Sequence, residues 1–232
     1  MNSLELYAKI EELLDFDMAR AELYSSFLSL FKEFSIQNCA TLDFGCGSGE
    51  FARLLEDRGF SVIGIDKSQT MVERAVNFGV DARACSLSDL GKFALITATF
   101  DVLNYLKKDE LKLFLKEIPE HLEEGGYFAF DINSKYGFSQ IAQGLLHEND
   151  DDGDLIIDAT YEDEILKTKM IYFAKEGKLY KKIEEDILQY YHEVEFIKRN
   201  LALKFIEKRD IFLYSDDNHA DKNILLFKKE KN

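Results

Sequence analysis

Apolar positions recur at helical spacing from the start of the chain. Leu6, Ile10, Leu13 and Leu14 form one stripe. Leu23, Phe27, Leu28, Leu30, Phe31 and Phe34 form a second after a break near Phe16 and Asp17. The pattern predicts two helices that cover a cleft or pack on a sheet. Shorter runs follow. Residues 40–44 read as a buried strand, and "SVIGID" as a second one ending at Asp66. Between them lie three glycines, at 45, 47 and 49, and a helix over 50–57. A helix over 69–77, a strand in "DARAC", a strand in "FALITATF", a helix over 109–122 bent or restarted by Pro119 and a strand in "YFAFDIN" continue the alternation. Strands alternating with helices predict a parallel α/β sheet.

The pattern changes after Ser134. "KYGFSQIAQGLL" reads as a short helix and "HENDDDGD" as an exposed loop. Three strands follow at about 155–162, 165–174 and 178–190, with connections too short for crossover helices, so they predict an antiparallel meander. "HEVEFIKRNL" returns to helical spacing. "LKFIEKRDIFLY" and "NILLFKK" read as a final hairpin around the turn "SDDNHADK". The expected division is a helical lid segment over 1–36, a main domain over 37–134 and 192–232, and an inserted antiparallel subdomain over 135–191 that covers substrate.

Composition narrows the function classes. The chain has 232 residues, 46% of them hydrophobic, so it can bury a core. Its formal net charge is −15. Both sides of Ser134 are net acidic, which disfavours nucleic acid and anionic membrane surfaces as partners. Cys39, Cys46 and Cys85 form no CxxC pair and no even framework, which points to a reducing compartment. The first residues lack a basic start followed by an apolar core, and no run reaches the length of a membrane span. The expectation is a cytoplasmic protein. His121, His147, His192 and His219 make no HxH or HExxH pattern, so no metal is expected.

The chemistry concentrates at Asp43-x-Gly45-x-Gly47-x-Gly49. Glycines let the backbone turn tightly and approach a ligand, and the next helix presents free amides there. Asp43 at the strand end can receive an ammonium group or a water. Asp66, 23 residues later at the end of the next strand, is placed to accept ribose hydroxyls. The joint spacing points to a nucleoside cofactor. A dinucleotide fingerprint would need glycine where Glu50 stands, and a carboxylate would repel a pyrophosphate. No P-loop is present. A cationic or zwitterionic nucleoside fits better.

"LDFGCGSG" at 42–49 resembles the first motif of class I S-adenosylmethionine-dependent methyltransferases. Asp66 resembles their ribose-binding acid, "TFDVLNYL" their segment after the fourth strand, and "LEEGGYFAFDIN" their Gly-Gly turn and fifth strand. The resemblance covers about residues 38–134 well and the last helix and hairpin more loosely. Together with the meander, it extends to a small-molecule branch that includes sugar N-methyltransferases. It implies a Rossmann-like sheet with an antiparallel insertion after the fifth strand, and S-adenosylmethionine as cofactor. Gly45, Cys46, Gly47 and Gly49 would curve around its methionine part, above Asp43. Asp66 would hold the ribose, and Lys67 and Ser68 would border the adenine. Leu87 stands where many relatives have an acid near the adenine amine; Ser86, Ser88, Asp89 or the Cys85–Leu87 backbone are the substitutes. Ala94 replaces a common structural acid of the fourth strand. Phe100 and Leu103 would pack on the cofactor, and Asn104 and Tyr105 would face the transferred methyl.

Sulfonium methyl transfer needs alignment above all, and a base only for some acceptors. Asp131 is the first candidate base, with Tyr136 just beyond; Asp131 could instead order a loop at its strand end. Tyr7 from the lid and His192 after the meander complete the catalytic candidates. Aromatics of the meander, Tyr161, Tyr172, Phe173, Tyr180, Tyr190 and Tyr191, either wall a substrate pocket or join the two sheets. The expected function is methyl transfer to nitrogen or oxygen of a small-molecule acceptor by a monomer or homodimer. The alternatives are a protein or tRNA methyltransferase and a non-catalytic S-adenosylmethionine-binding protein.

Overall fold

Alternation within single strands sets the architecture. In the last strand Ile224 and Leu226 pack on one side of a sheet, while Leu225 and Phe227 pack on the other. A strand buried on both faces needs a helical layer on each side. The structure is a computed structural model that describes residues 3–14, 16–214 and 219–231. Its elements run α1 (Ser3–Ile10), α2 (Asp17–Glu33), β1 (Ala40–Phe44), α3 (Glu50–Glu56), β2 (Ser61–Ile65) and α4 (Gln69–Asn77). Then come β3 (Ala82–Arg83), β4 (Phe93–Ala98), α5 (Lys108–Glu117), β5 (Leu122–Asn133), β6 (Gly144–Asn149) and β7 (Gly153–Glu162). The chain continues with β8 (Ile165–Glu176), β9 (Leu179–Tyr190), α6 (Val194–Asn200), β10 (Lys204–Ile211) and β11 (Lys222–Lys228).

Seven strands form the main sheet in the order β10-β11-β5-β4-β1-β2-β3. The pairs from β5 to β3 are parallel, and β11 and β10 add antiparallel. Leu23 and Phe27 of α2, Phe51 of α3 and Ala75 of α4 cover one face. Leu111 and Phe114 of α5 and Ile197 of α6 cover the other. β1 has β4 on one side and β2 on the other, so strand order reverses there and a crevice opens at the strand ends.

The second sheet has the order β6-β7-β8-β9. Leu155, Met170, Tyr172 and Ile187 on one face pack against Leu6 and Ile10 of α1. The opposite face carries ion pairs such as Lys167–Asp186 and Lys169–Glu184. This is the solvated side expected of an antiparallel sheet. Tyr172 belongs to the core, and Tyr161 stacks on buried Phe138 at 5.5 Å. Both join layers; neither lines the cavity described below.

Three expectations differ in detail. Residues 144–149 form strand β6, where a helix end and a loop were expected. All six are exposed, so no apolar alternation announces the strand; pairing with β7 makes it. β3 keeps only two residues. α5 stops at Glu117, short of the expected 122, and the chain restarts around Pro119 in a separate 3₁₀ turn where its missing N–H is harmless. The expected turn between β10 and β11 falls partly on residues 215–218, outside the described residues.

The passage from β5 to the second sheet runs tightly beside β11. Ser134 Oγ donates to the Ala220 carbonyl at 2.5 Å and accepts from Gly137 N–H at 2.9 Å. A Cβ on Gly137 would lie 2.2 Å from the Asp221 carbonyl oxygen, which is backbone and cannot swing aside. Gly137→Ala should therefore cost about 1–3 kcal/mol, or about 3–10 °C in Tm. Thermal unfolding checks this, and a Tm shift below about 1 °C would contradict so close a packing.

Candidate active site

The three glycines after β1 each do something different. All have positive φ, at 73°, 54° and 86° for Gly45, Gly47 and Gly49, which favours glycine. A Cβ on Gly45 would meet Val102 Cγ2 at 2.6 Å, and one on Gly49 would meet Ala75 Cβ at 2.9 Å. Gly49 thus lets α3 pack on α4, and it does not line the cavity. A Cβ on Gly47 would meet nothing within 4 Å. Gly47 itself lines a cavity of about 830 Å³ that opens along the crevice.

Asp66 closes the turn from the other side. Its Oδ2 accepts from Gly47 N–H at 3.0 Å and its Oδ1 from Ser68 N–H at 2.8 Å. The carboxylate therefore braces the glycine turn while lining the cavity. Ser68 caps α4 by accepting from Met71 N–H at 3.2 Å. Asp43 lies beneath, 1% exposed and outside the lining. Its Oδ1 accepts from the Thr97 hydroxyl at 2.8 Å, and its Oδ2 has no hydrogen-bond partner among the described residues. Burial pushes the Asp43 carboxyl up to about 7, against the Thr97 hydrogen bond. Cys46 lines the cavity, and burial pushes its thiol up, away from nucleophilic use.

The segment from Thr99 to Leu106 forms the facing wall. Thr99, Phe100, Val102, Tyr105 and Leu106 line the cavity. Asp101, Leu103 and Asn104 point elsewhere. Phe100 and Asp101 have φ of 64° and 70°, an uncommon conformation for side-chain-bearing residues. Their amides donate to Asp131 Oδ1 at 2.6 Å and Oδ2 at 3.2 Å. Asn104 clamps the far end: its Nδ2 donates to the Tyr190 carbonyl at 2.8 Å and its Oδ1 accepts from Asn133 N–H at 3.0 Å. Beyond Leu87, Ser86 N–H donates to Asp89, whose carboxylate closes its own turn. Ser86, Leu87 and Ser88 line the cavity, as do Lys67 and Ser68.

The helices before β1 complete the enclosure with Tyr7, Glu11, Arg20 and Tyr24. Arg20 Nη1 donates to Glu50 at 2.5 Å and Nη2 to Glu11 at 3.2 Å, and the guanidinium lies 5.8 Å from the Phe100 ring centre. Sequence reasoning missed Arg20, Glu11 and Tyr24. A signal existed for Arg20: it occupies the buried stripe of α2 alongside Ala19, Leu23 and Phe27.

Three catalytic candidates lie outside the cavity. Asp131 is fully buried and holds the Phe100–Asp101 turn, so its carboxylate faces backbone amides. His192 is 3% exposed and contacts the Leu106 carbonyl at 3.0 Å; burial lowers its basicity. Tyr136 stacks on His219 at 5.0 Å, beside the β11 connection. Tyr7 alone of the four lines the cavity. Among the expected cofactor contacts, Asp43, Gly49, Asn104 and Leu103 act behind the wall.

With this geometry defined, a methyltransferase-domain family matches residues 16–164. The chain belongs to that family. It is 32% identical over 122 residues to a protein of Geobacillus sp. (strain WCH70) named as a methyltransferase, covering 48% of this chain. The match covers 49% of the relative, so the chain spans about half the length of this curated relative. An S-adenosylmethionine-dependent methyltransferase from Clostridium acetobutylicum superposes with a TM-score of 0.78 at 26% identity, over 98% of this chain and 97% of that one. The sugar N-methyltransferase KedS8 from Streptoalloteichus superposes with a TM-score of 0.75 at 14% identity, over 99% and 94%. The fold is thus the class I methyltransferase sheet with an antiparallel insertion after β5.

The residues present fit S-adenosylmethionine. The glycine turn leaves room at Gly47, Asp66 presents a carboxylate, and Asp43 holds an unpartnered buried oxygen beneath the turn. Asp66→Ala should weaken S-adenosylhomocysteine binding about 10- to 100-fold, the size of a hydrogen bond to a charged group. Unchanged calorimetric affinity would contradict the assignment. Gly47→Ala should cost about 1 kcal/mol of stability through its positive φ yet weaken the same ligand at least about tenfold. Gly45→Ala should lose more stability, because Val102 must move. Equal affinity in Gly47→Ala and the unaltered chain would mean that the cavity beside the turn is not the ligand's place.

Proposed function

We propose that the chain transfers the methyl group of S-adenosylmethionine to a nitrogen of a small-molecule amine. The observation that carries the reading is the charge of the cavity lining. Glu11, Glu50, Asp66, Glu110 and Glu117 stand against Arg20 and Lys67. Such a lining draws in the ammonium form of an amine, which releases its proton to solvent before the neutral nitrogen attacks, and it repels a phosphate-bearing acceptor such as tRNA. Bound S-adenosylmethionine supplies an electrophilic methyl group. The chain's residues bind and align.

Tyr7 and Tyr105 line the same cavity. Burial pushes the Tyr105 hydroxyl up to about 12, and burial with the neighbouring Tyr105 holds Tyr7 well above the usual phenol range. Both phenols stay protonated at neutral pH. They serve as hydrogen-bonding groups that orient an acceptor, and they are poor bases. A neutral amine presents its own lone pair and needs no base for attack, unlike a hydroxyl. Arg20, held by Glu11 and Glu50 over the Phe100 ring, is suited to a carboxylate of the cofactor's amino-acid end. Ile187 and Leu188 of β9 add apolar surface from the second sheet. The likeness to a sugar N-methyltransferase is consistent with nitrogen as acceptor.

A panel of small amines, each paired with its hydroxyl analogue, tests the reading with methyl-labelled S-adenosylmethionine. Amines should be labelled at least about tenfold faster than their alcohol partners. The rate should rise as pH climbs toward the acceptor's own amine pKa, where more of it is neutral. Labelling of the alcohols alone, or of tRNA or protein with no small-molecule transfer, would overturn it.

A further inference from the structure

We propose that Lys222 is a positioning residue for cofactor binding: from β11, it clamps the turn that carries Phe100 and Val102 into the cavity. The proposal rests on the cofactor reading above and goes beyond it. Lys222 lies on the first position of β11, opposite Asn133 of β5, and is 3% exposed. Its Nζ donates to Asp101 Oδ1 and lies 3.3 Å from Asp131 Oδ2. The same ammonium lies 5.3 Å from the Phe100 ring centre.

These contacts close a ring. Asp131 accepts from the Phe100 and Asp101 amides, and Lys222 joins the Asp131 carboxylate to the Asp101 side chain. Both residues of the turn are held in a left-handed conformation that only glycine adopts freely. The turn projects Phe100 into the cavity, where Arg20 lies on its ring, and sets Val102 against Gly45. A buried charge without its partner is costly, so removing the ammonium leaves two carboxylates facing each other. The turn then relaxes, and the wall moves with it. Burial acts on both members: it pushes the Asp131 carboxyl up, against the backbone hydrogen bond from Phe100, and it pushes the Lys222 ammonium down.

Lys222→Met keeps the length and removes the charge. Lys229→Met is the control: Lys229 follows the same strand, and its Nζ donates to the Pro119 and Leu122 carbonyls at 2.8 and 3.0 Å, far from the turn. Lys222→Met should bind S-adenosylhomocysteine at least about tenfold more weakly, with KM for S-adenosylmethionine raised and kcat at saturation within about threefold. Lys229→Met should lose thermal stability while its affinity stays within about twofold. Lys222→Met with the affinity of the unaltered chain, whatever its Tm, would overturn the proposal. If Lys222→Met fails to fold, Asp101→Asn decides: it weakens the ring, and should cost about three- to tenfold in affinity. Unchanged affinity there would also overturn it. An unaltered chain that fails to bind S-adenosylhomocysteine would sink the cofactor reading itself.

Discussion

A buried carboxylate that never reaches the cavity governs the candidate site. Asp131, at the C-terminal end of β5, accepts from two consecutive amides of the turn after β4 and so stabilises a left-handed pair of residues, Phe100 and Asp101. Such a conformation persists only where surrounding groups over-determine it. Here Lys222 does so from the next strand, and Asn104 fixes the far end of the segment to β5 and β9. The consequence is a rigid wall opposite the glycine turn. On that wall, side chains at 99, 100, 102, 105 and 106 face the cavity, while those at 101 and 104 hold the scaffold.

The two sheets divide the work. The main sheet fixes the crevice, because the reversal of strand order at β1 places the β1 and β4 ends side by side. The second sheet closes it from above: its apolar face packs on α1, which brings Tyr7 to the cavity, and β9 brings Ile187 and Leu188. Arg20 links the helical cover to the glycine-turn side through Glu50. Enclosure therefore depends on contacts between parts of the chain that lie far apart in sequence.

That distance explains what could be read from sequence. The glycine turn, Asp66 and the first four strands were visible because each is encoded locally, by period and by spacing. The final hairpin pairs with β5 of the main sheet, and the uninterrupted apolar run from Ile224 to Phe227 fits a strand buried on both faces. For Asp131 the loop-ordering alternative is the one the hydrogen bonds match, and sequence leaves the choice open because a carboxylate at a strand end looks the same whether it faces a ligand or a turn. Nothing in "TFDVLNYL" signals that a phenylalanine and an aspartate take positive φ. Strand β6 escaped because its six exposed residues have no buried face to impose period two. Gly49 was grouped with its neighbours, yet Ala75, 26 positions later, is the atom it avoids. Lys222 closes the expected turn "SDDNHADK", and only the fold brings it to Asp131.

The central claim is that S-adenosylmethionine lies between the glycine turn and the wall after β4. Hydrogen–deuterium exchange with and without S-adenosylhomocysteine tests this most directly, because it reads backbone protection segment by segment. Protection should rise over residues 44–50, 65–68 and 99–106, and stay unchanged in the exposed strand β6. Bound ligand with no added protection at the glycine turn or at 99–106 would contradict it.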